Sequence, residues 1–539
     1  MQAFLAPLTE LADYQEMLRN RRRGEGFIQV AGCVNSQKTH LMYAIGDGCE
    51  YRVIAFSSEE KAKKAYEEYR FLTEDVYVYP ARDLLFYHAD IKGKLLTDRR
   101  MEVLRTLIEK EPEKQITIIT TIDAFLDGLP EPERLKGQRI RVSGGDMVDF
   151  SEFQSRLAAL GYERESQIEG PGQFAVRGGI LDVFPLTEEM PVRIELWGDE
   201  IDSIRSFDVE SQRSVENLTE VTIYPAVENW EEGAETVSFL EYFPREKSLL
   251  LLDEPARLQE KAEEVEEEYL GSMESRTEAG MEDEDDLRVF PVKEIIEKMN
   301  HYCGFGFTTL ESRCGAFHVR ETYSIQTKGV NPYNSSFELL TRDLKRLKRN
   351  GWRVILLSGS RTRAKRLAED LRDYDLSSFY SEDMERRVNP GEIMVAYGYV
   401  AEGYEYPMLK FTVISESDIF GKKKKKKKRR RTYEGQKIQD FAELKPGDYV
   451  VHENHGLGIY QGIEKVEVDK VTKDYMKISY ADGGILYIPV AQMDLIQKYA
   501  GADAKKPKLN KLGTAQWGKT KNQVKKAVQA VARDLVELY

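Results

Sequence analysis

Leu444–Ile496 reads LKPGDYVVHENHGLGIYQGIEKVEVDKVTKDYMKISYADGGILYIPVAQMDLI. Short runs rich in Val, Ile, Tyr and Leu alternate with turn signals at Lys445-Pro446-Gly447-Asp448, His455-Gly456 and Asp482-Gly483-Gly484. Runs of about four to eight residues at such spacing predict a small antiparallel barrel or strongly bent sheet. Asp482-Gly483-Gly484 lies between YMKISY and ILYIPV, a hairpin signal because glycine accepts the positive φ of a tight turn. A module of roughly fifty residues is too small for a large core, so its edge strands and exposed apolar residues are expected to face a partner. Within IEKVEVDKV, Ile463, Val466 and Val468 are candidates for the core or for a partner strand. A strict period of two cannot put Ile463 and Val466 on one face, so either a bulge intervenes or one of them points outward.

PGDYVVHENHGLGIYQGI followed by YMKISYADGGILYIPV resembles the RNA polymerase-interacting domain shared by bacterial transcription-repair coupling factors and CarD-type regulators. The resemblance implies docking on the β subunit of RNA polymerase. It makes Ile463, Lys465, Val466 and Val468 the contact residues, with Val466 outward near the edge that pairs with the polymerase. The bland alternative is an SH3-like barrel without a particular partner.

The chain of 539 residues suggests about three to five domains. With 41% hydrophobic and 32% charged residues, it has an ordinary globular composition. No run approaches the ~18 apolar residues of a membrane span. The opening MQAFLAPLTE has neither a basic n-region nor a long apolar core, so a signal peptide is not expected and the location expected is cytoplasmic. Cys33, Cys49, Cys303 and Cys314 form no C-x-x-C pair, and the spacing of His301, Cys303, Cys314 and His318 fits no common zinc pattern, so no metal is expected. A net charge of −14 argues against wholesale nucleic-acid binding. The charge is uneven: EEVEEEY and MEDEDD fall within Arg257–Asp286, while Lys422–Arg431 is KKKKKKKRRR. Self-repulsion predicts an extended, solvated tether there, the alternative being transient and strongly salt-dependent phosphate contact.

Gly26–Gly46 reads strand, loop, helix. Against the P-loop pattern, Gly32, Lys38 and Thr39 are in place, but Gln37 stands where the second glycine belongs. A side chain there obstructs the cradle of backbone N–H groups. The next apolar strand, ITIITTIDAF, ends with only Asp123, and no acidic magnesium-binding cluster is recognised. The expectation is a relic nucleotide fold without hydrolysis. Apolar strands alternating with amphipathic helices, through YRVIAF, EEKAKKAYEEYRFL, VYVY and a helix around Asp98–Lys110, argue a parallel sheet.

From Phe150 to Pro225 the pattern changes to period-two alternation in FAVRGGILDVF and VRIELW, with turns at Gly178-Gly179 and Gly198-Asp199. RGGILDVFP and RIELWGDEIDSIRSFD resemble domain 2 of UvrB-like proteins and its copy in the coupling factors, which binds UvrA. The resemblance implies Arg164, Phe174 and Arg177 as UvrA contacts, with Asp182 and Glu195 in the same strands. The alternative is that Arg177 merely pairs with Glu195 across the sheet.

The remainder alternates SLLLLD, a charged helix over Arg257–Leu270, FELLTRDLKRLKRNG ended by Gly351, WRVILLSGS, and RTRAKRLAEDLRDY. Ser358-Gly359-Ser360 before a helix could hold an anion. From about Thr520, Val524, Val528, Val531, Leu535 and Leu538 form one helical stripe.

The fold expected is thus α/β and multi-domain. Residues 1–135 are domain 1a of a UvrB-like module with the degenerate P-loop, 136–225 its inserted α+β domain 2, and 226–328 domain 1b. Residues 329–421 are an α/β spacer, 422–435 a basic linker, 436–500 the polymerase-interacting barrel and 501–539 a helix toward a motor outside the chain. The resemblance implies the adaptor half of a coupling factor, joining stalled RNA polymerase to UvrA; its family is an ATP-dependent, helicase-like DNA translocase. No catalytic residue and no cofactor are expected here; ATP, magnesium and most DNA contact belong to the motor. The alternatives are a nucleotide-hydrolysing UvrB-like enzyme and a CarD-like transcription regulator.

Overall fold

The computed structural model describes residues 1–21, 24–82, 94–209, 211–226, 235–278, 289–311, 315–421, 435–437, 445–452, 455–468, 471–481, 484–489, 496–499, 509 and 511. A seven-stranded sheet runs in the order Val319–Ser324, Gly26–Ala31, Cys303–Phe307, Ser248–Asp253, Tyr51–Phe56, Ile116–Thr121, Val76–Tyr79. Every pairing in it is parallel. Strands of a parallel sheet are covered on both faces, which is why SLLLLD and ITIITT are continuous runs rather than alternating ones. Strands from before residue 122 and after residue 247 interleave, so the sheet closes around an insertion.

That insertion holds a six-stranded sheet ordered Ser214–Leu218, Glu200–Phe207, Val192–Trp197, Ile180–Phe184, Gln173–Arg177, Glu163–Arg164. Its core of Phe153, Leu157, Leu181, Val183, Ile194 and Ile204 packs the sheet on the helix Phe150–Ala159. Asp149 caps that helix by accepting from the Ser151 and Glu152 amides. Gly178 and Gly198 make their turns at φ +62° and +65°.

The second α/β unit is a six-stranded sheet ordered Lys328–Gly329, Tyr404–Tyr406, Phe411–Ile414, Arg353–Ser358, Ile393–Tyr397, Phe379–Tyr380. The helices Phe337–Arg349 and Arg361–Asp373 bury Leu340, Leu344, Leu367 and Leu371 against one face. Gly351, at φ +72°, follows the first helix in the left-handed conformation that ends it. The other face contributes Ile355, Leu357, Met394, Phe411 and Val413 to a core shared with Phe4, Leu41 and Ala44 of the first unit.

The last body is antiparallel throughout, in the order Gly435–Lys437, Ile496–Tyr499, Tyr449–His452, Gly456–Val468, Val471–Ser479, Ile485–Pro489. Val450, Tyr460, Met476, Ile478, Leu486 and Ile488 form its small core. A register shift between Tyr460 and Gly462, with Gly462 at φ +119°, bends the long strand.

Three expected elements differ in extent. The helix around Asp98–Lys110 is Lys94–Ile108, the charged helix from Arg257 is Pro255–Glu278, and one barrel strand, Gly456–Val468, is thirteen residues long. The basic run 422–431, the turn at Asp482-Gly483, the acidic stretch 279–288 and the helix expected from Thr520 lie outside the described residues. Among the described residues, no helix is long and apolar enough to cross a membrane.

Candidate functional site

The phosphate-loop residues come together at the carboxyl end of Gly26–Ala31. Gly32 has φ +82°, and a Cβ there would lie 2.3 Å from the Ile325 carbonyl oxygen, so glycine is required on two counts. Gln37 is 0% exposed. Its Oε1 accepts from the Val34 amide at 3.2 Å, and the Cys33 amide donates to the Thr308 carbonyl at 3.1 Å. Two amides of the loop are thereby held by the protein's own acceptors. Thr39 and Ser36 donate their hydroxyls to Glu68 on the wall of the same crevice. Burial pushes the Glu68 carboxyl up against these donors.

The acidic partners that sequence reading did not recognise are Asp253 and Glu254. Lys38 Nζ lies 2.7 Å from Asp253 Oδ1 and 2.6 Å from Glu254 Oε1, and Lys61 Nζ lies 3.0 Å from Asp253 Oδ2. They close the strand Ser248–Asp253, which the strand Cys303–Phe307 separates from the P-loop strand. An acid ending a run of leucines is the pattern expected of a magnesium-binding strand; it escaped because it comes after the insertion. Burial would raise the Glu254 carboxyl, but Lys38 and the Thr309 donors outweigh it and hold it below the usual carboxylate range. With Lys64, Arg257 and Glu260 these groups line an open crevice. A phosphate entering it would have to displace two carboxylates from Lys38.

In the second unit, the expected anion position at Ser358-Gly359-Ser360 is taken by an internal carboxylate. Glu416 Oε2 accepts from Ser358 Oγ at 2.9 Å and from the Gly359 amide at 2.8 Å, and Arg363 pairs with the same side chain.

In the inserted domain, Arg164 and Arg177 are exposed. Arg177 donates to the Ser166 carbonyl at 3.1 Å, which draws the two arginines' segments together along the sheet's Glu163–Arg164 edge. Phe174 corrects the expectation: it is 2% exposed and packs in the domain core. Period-two alternation puts it opposite Val183 on the inward face. Glu195 pairs with Arg205 at 2.6 Å, and Arg177 is not its partner. Asp182 is buried in a two-point pair with Arg193, at 2.7 and 2.8 Å, and that guanidinium lies 4.5 Å from the Phe207 ring centre. Trp197 and Met147, 83% and 71% exposed, flank the Gly198 turn and were not singled out from the sequence.

In the barrel, Ile463, 46% exposed, pairs with Met476. Lys465, Val466 and Val468 pair with Asp474, Lys473 and Val471; their side chains lie outside the described set. The bulge precedes Ile463, and the register from Ile463 to Val468 is unbroken. Of the long strand, Tyr449–His452 pairs with Gly456–Ile459 alone. From Gly462 onward the long strand therefore has a neighbour on one side only, among the described strands.

His301 Nδ1 lies 2.8 Å from Glu25, Cys303 Sγ contacts the Arg21 carbonyl, and Cys314 is outside the described residues. Among the described residues no cluster of His, Cys, Asp and Glu could hold a metal ion.

The family model of the UvrB interaction domain matches residues 140–228, and that of the CarD-like/TRCF RID domain matches residues 444–500. The transcription-repair-coupling factor of Bacillus subtilis (strain 168) is 28% identical over 99% of this chain and 50% of its own length. Those of Staphylococcus haemolyticus and Staphylococcus aureus (strain MRSA252) are 30% and 28% identical over 86% of this chain and 44% of their own length. The chain thus spans about half the length of the curated relatives it matches. Over the part of their length that it spans, the chain is similar to transcription-repair-coupling factors, and it carries a UvrB interaction domain beside a CarD-like/TRCF RID domain.

Proposed function

We propose that this chain is an adaptor in transcription-coupled nucleotide excision repair, holding the β subunit of RNA polymerase through the barrel and UvrA through the inserted domain. One observation carries the reading: the two docking modules lie on one polypeptide, at 140–228 and 444–500. Exposed Arg164 and Arg177 support a UvrA surface, because arginine's planar fork suits a protein interface. The one-sided backbone beyond Gly462 supports strand addition by the polymerase. Both partners place the work in the cytoplasm. ATP-driven translocation on DNA is not assigned to any residue of this chain, and no cofactor is proposed for it.

The test is capture on the immobilised chain. Purified RNA polymerase and UvrA should each be retained, and together when both are supplied. Retention of polymerase without UvrA would favour a CarD-like regulator; retention of neither would end the adaptor reading.

A further inference from the structure

The helix Asn35–Gly46 follows the phosphate loop, and its far side is occupied by the second α/β unit. We propose that this helix is the receptor for residues 401–406, and that the contact latches the UvrB-like sheet and the second α/β unit into one cooperative body.

The argument begins with a hydroxyl. Tyr406 Oη lies 2.9 Å from Gln37 Nε2 and 2.9 Å from His40 Nδ1. The amide of Gln37 donates, so the single phenolic proton goes to His40 Nδ1, leaving Nε2–H to donate to the Phe4 carbonyl at 3.2 Å. Tyr406 Oη thus bridges Gln37 and His40, while the Val34 amide and the Phe4 carbonyl take Gln37 Oε1 and His40 Nε2. Tyr406 is 1%, His40 3% and Gln37 0% exposed, so loss of any one orphans a buried group. The His40 ring also stacks on Tyr404, with centres 5.3 Å apart.

Backbone extends the contact. The Ala401 amide donates to Glu68 Oε1 at 2.9 Å and the Glu402 amide to Ser36 Oγ at 3.1 Å, while Glu402 meets Asn35 and Lys64. Positions 36, 37 and 40 of the helix that follows the degenerate phosphate loop thus read a segment of the same chain. Gln37, the residue that closes the phosphate cradle, is also a donor to the latch. A glycine at 37 would reopen the first and weaken the second. The latch holds irrespective of which proteins the chain adapts, and it fixes the seven-stranded sheet relative to the second α/β unit.

The test uses the full chain. Tyr406→Phe removes only the hydroxyl and keeps the ring; Gln37→Ala removes its donor. Each should speed amide exchange in both Asn35–Gly46 and 401–406 by about tenfold, the scale of one buried hydrogen bond. The double variant should be accelerated by less than the product of the two singles, because both remove the bond between Gln37 and Tyr406, although each also loses a contact of its own, to His40 or to the Val34 amide. Acceleration confined to one of the two segments, or fully additive effects in the double variant, would overturn the latch. So would nucleotide binding by Gln37→Gly with exchange unchanged at 401–406.

Discussion

Lys38 Nζ is 2.7 Å from Asp253 Oδ1, a pair that joins residues 215 apart in sequence and leaves the lysine side chain only 11% exposed. The ammonium that a P-loop offers to phosphate is here neutralised by acids of its own sheet, and the loop amides are held by Gln37 and Thr308. The chain is therefore expected to show no ATP turnover. Lys38→Ala is expected to cost about 3 kcal/mol of stability, because it strips the closest cation from a buried carboxylate, with Lys61 limiting the loss. Melting measures the second claim. Turnover at saturating ATP that Lys38→Ala abolishes would defeat the first.

Much of this was legible because periodicity survives burial. SLLLLD and ITIITT announce parallel strands, VRIELW a half-buried antiparallel one, and Gly351 a helix end. What stayed hidden depends on contacts remote in sequence. Asp253 and Glu254 have meaning only once the sheet closes around the insertion and brings them to Lys38. Gln37 reads as a defect in a loop until Tyr406 arrives from another domain. Phe174 sits between contact candidates along the chain, yet strand alternation turns its side chain inward while Arg177 stays outside.

Arg177→Ala and Arg164→Ala are each expected to weaken UvrA binding without loss of fold, since both side chains are exposed. An interface arginine costs about 2 kcal/mol when truncated, roughly thirtyfold in affinity. Titration with UvrA, beside circular dichroism of each variant, checks the pair. Unchanged affinity in both would move the surface elsewhere on the domain.

Asp182→Ala should act differently. It would leave the Arg193 guanidinium part-buried over Phe207 with its carboxylate gone. The expected loss is about 3 kcal/mol, the scale for breaking a buried ion pair. UvrA binding should then fall only under conditions where the inserted domain melts. Lost binding with an unshifted melting transition would make Asp182 a contact residue.

The barrel should weaken in mild acid. Burial, with His455 nearby, depresses His452 from 6.5 to about 4, and burial lowers His455 as well. Above pH 6.5 both are neutral folded or unfolded, and there is no effect. Between about 6.5 and 4 the unfolded chain takes up protons that the folded barrel refuses, so stability falls as pH falls. The slope is at most about 1.4 kcal/mol per pH unit for each histidine. Pulse proteolysis in urea, read at cleavage sites within the barrel, should show a lower midpoint at pH 5 than at pH 7. His452→Phe should flatten that difference.

The last expectation separates two positions on one strand. Ile463 and Val466 are three apart in an unbroken register, and Ile463 faces Met476 on the side that carries Ile478 and Ile488, the core side. Val466 lies where the strand pairs only with Val471–Lys477 and its other backbone edge is open among the described strands. An added polymerase strand would find hydrogen-bonding groups there, and a valine would add apolar contact at about 25 cal/mol per Å² buried. Val466→Arg is therefore expected to abolish polymerase binding with an unchanged melting temperature. Ile463→Arg, at a site 46% exposed yet on the core side, should lower stability by about 1 kcal/mol as well. A collapse in melting temperature for Val466→Arg would mean that a charge had been forced into the core, and the docking face would then have to be the one that carries Ile463.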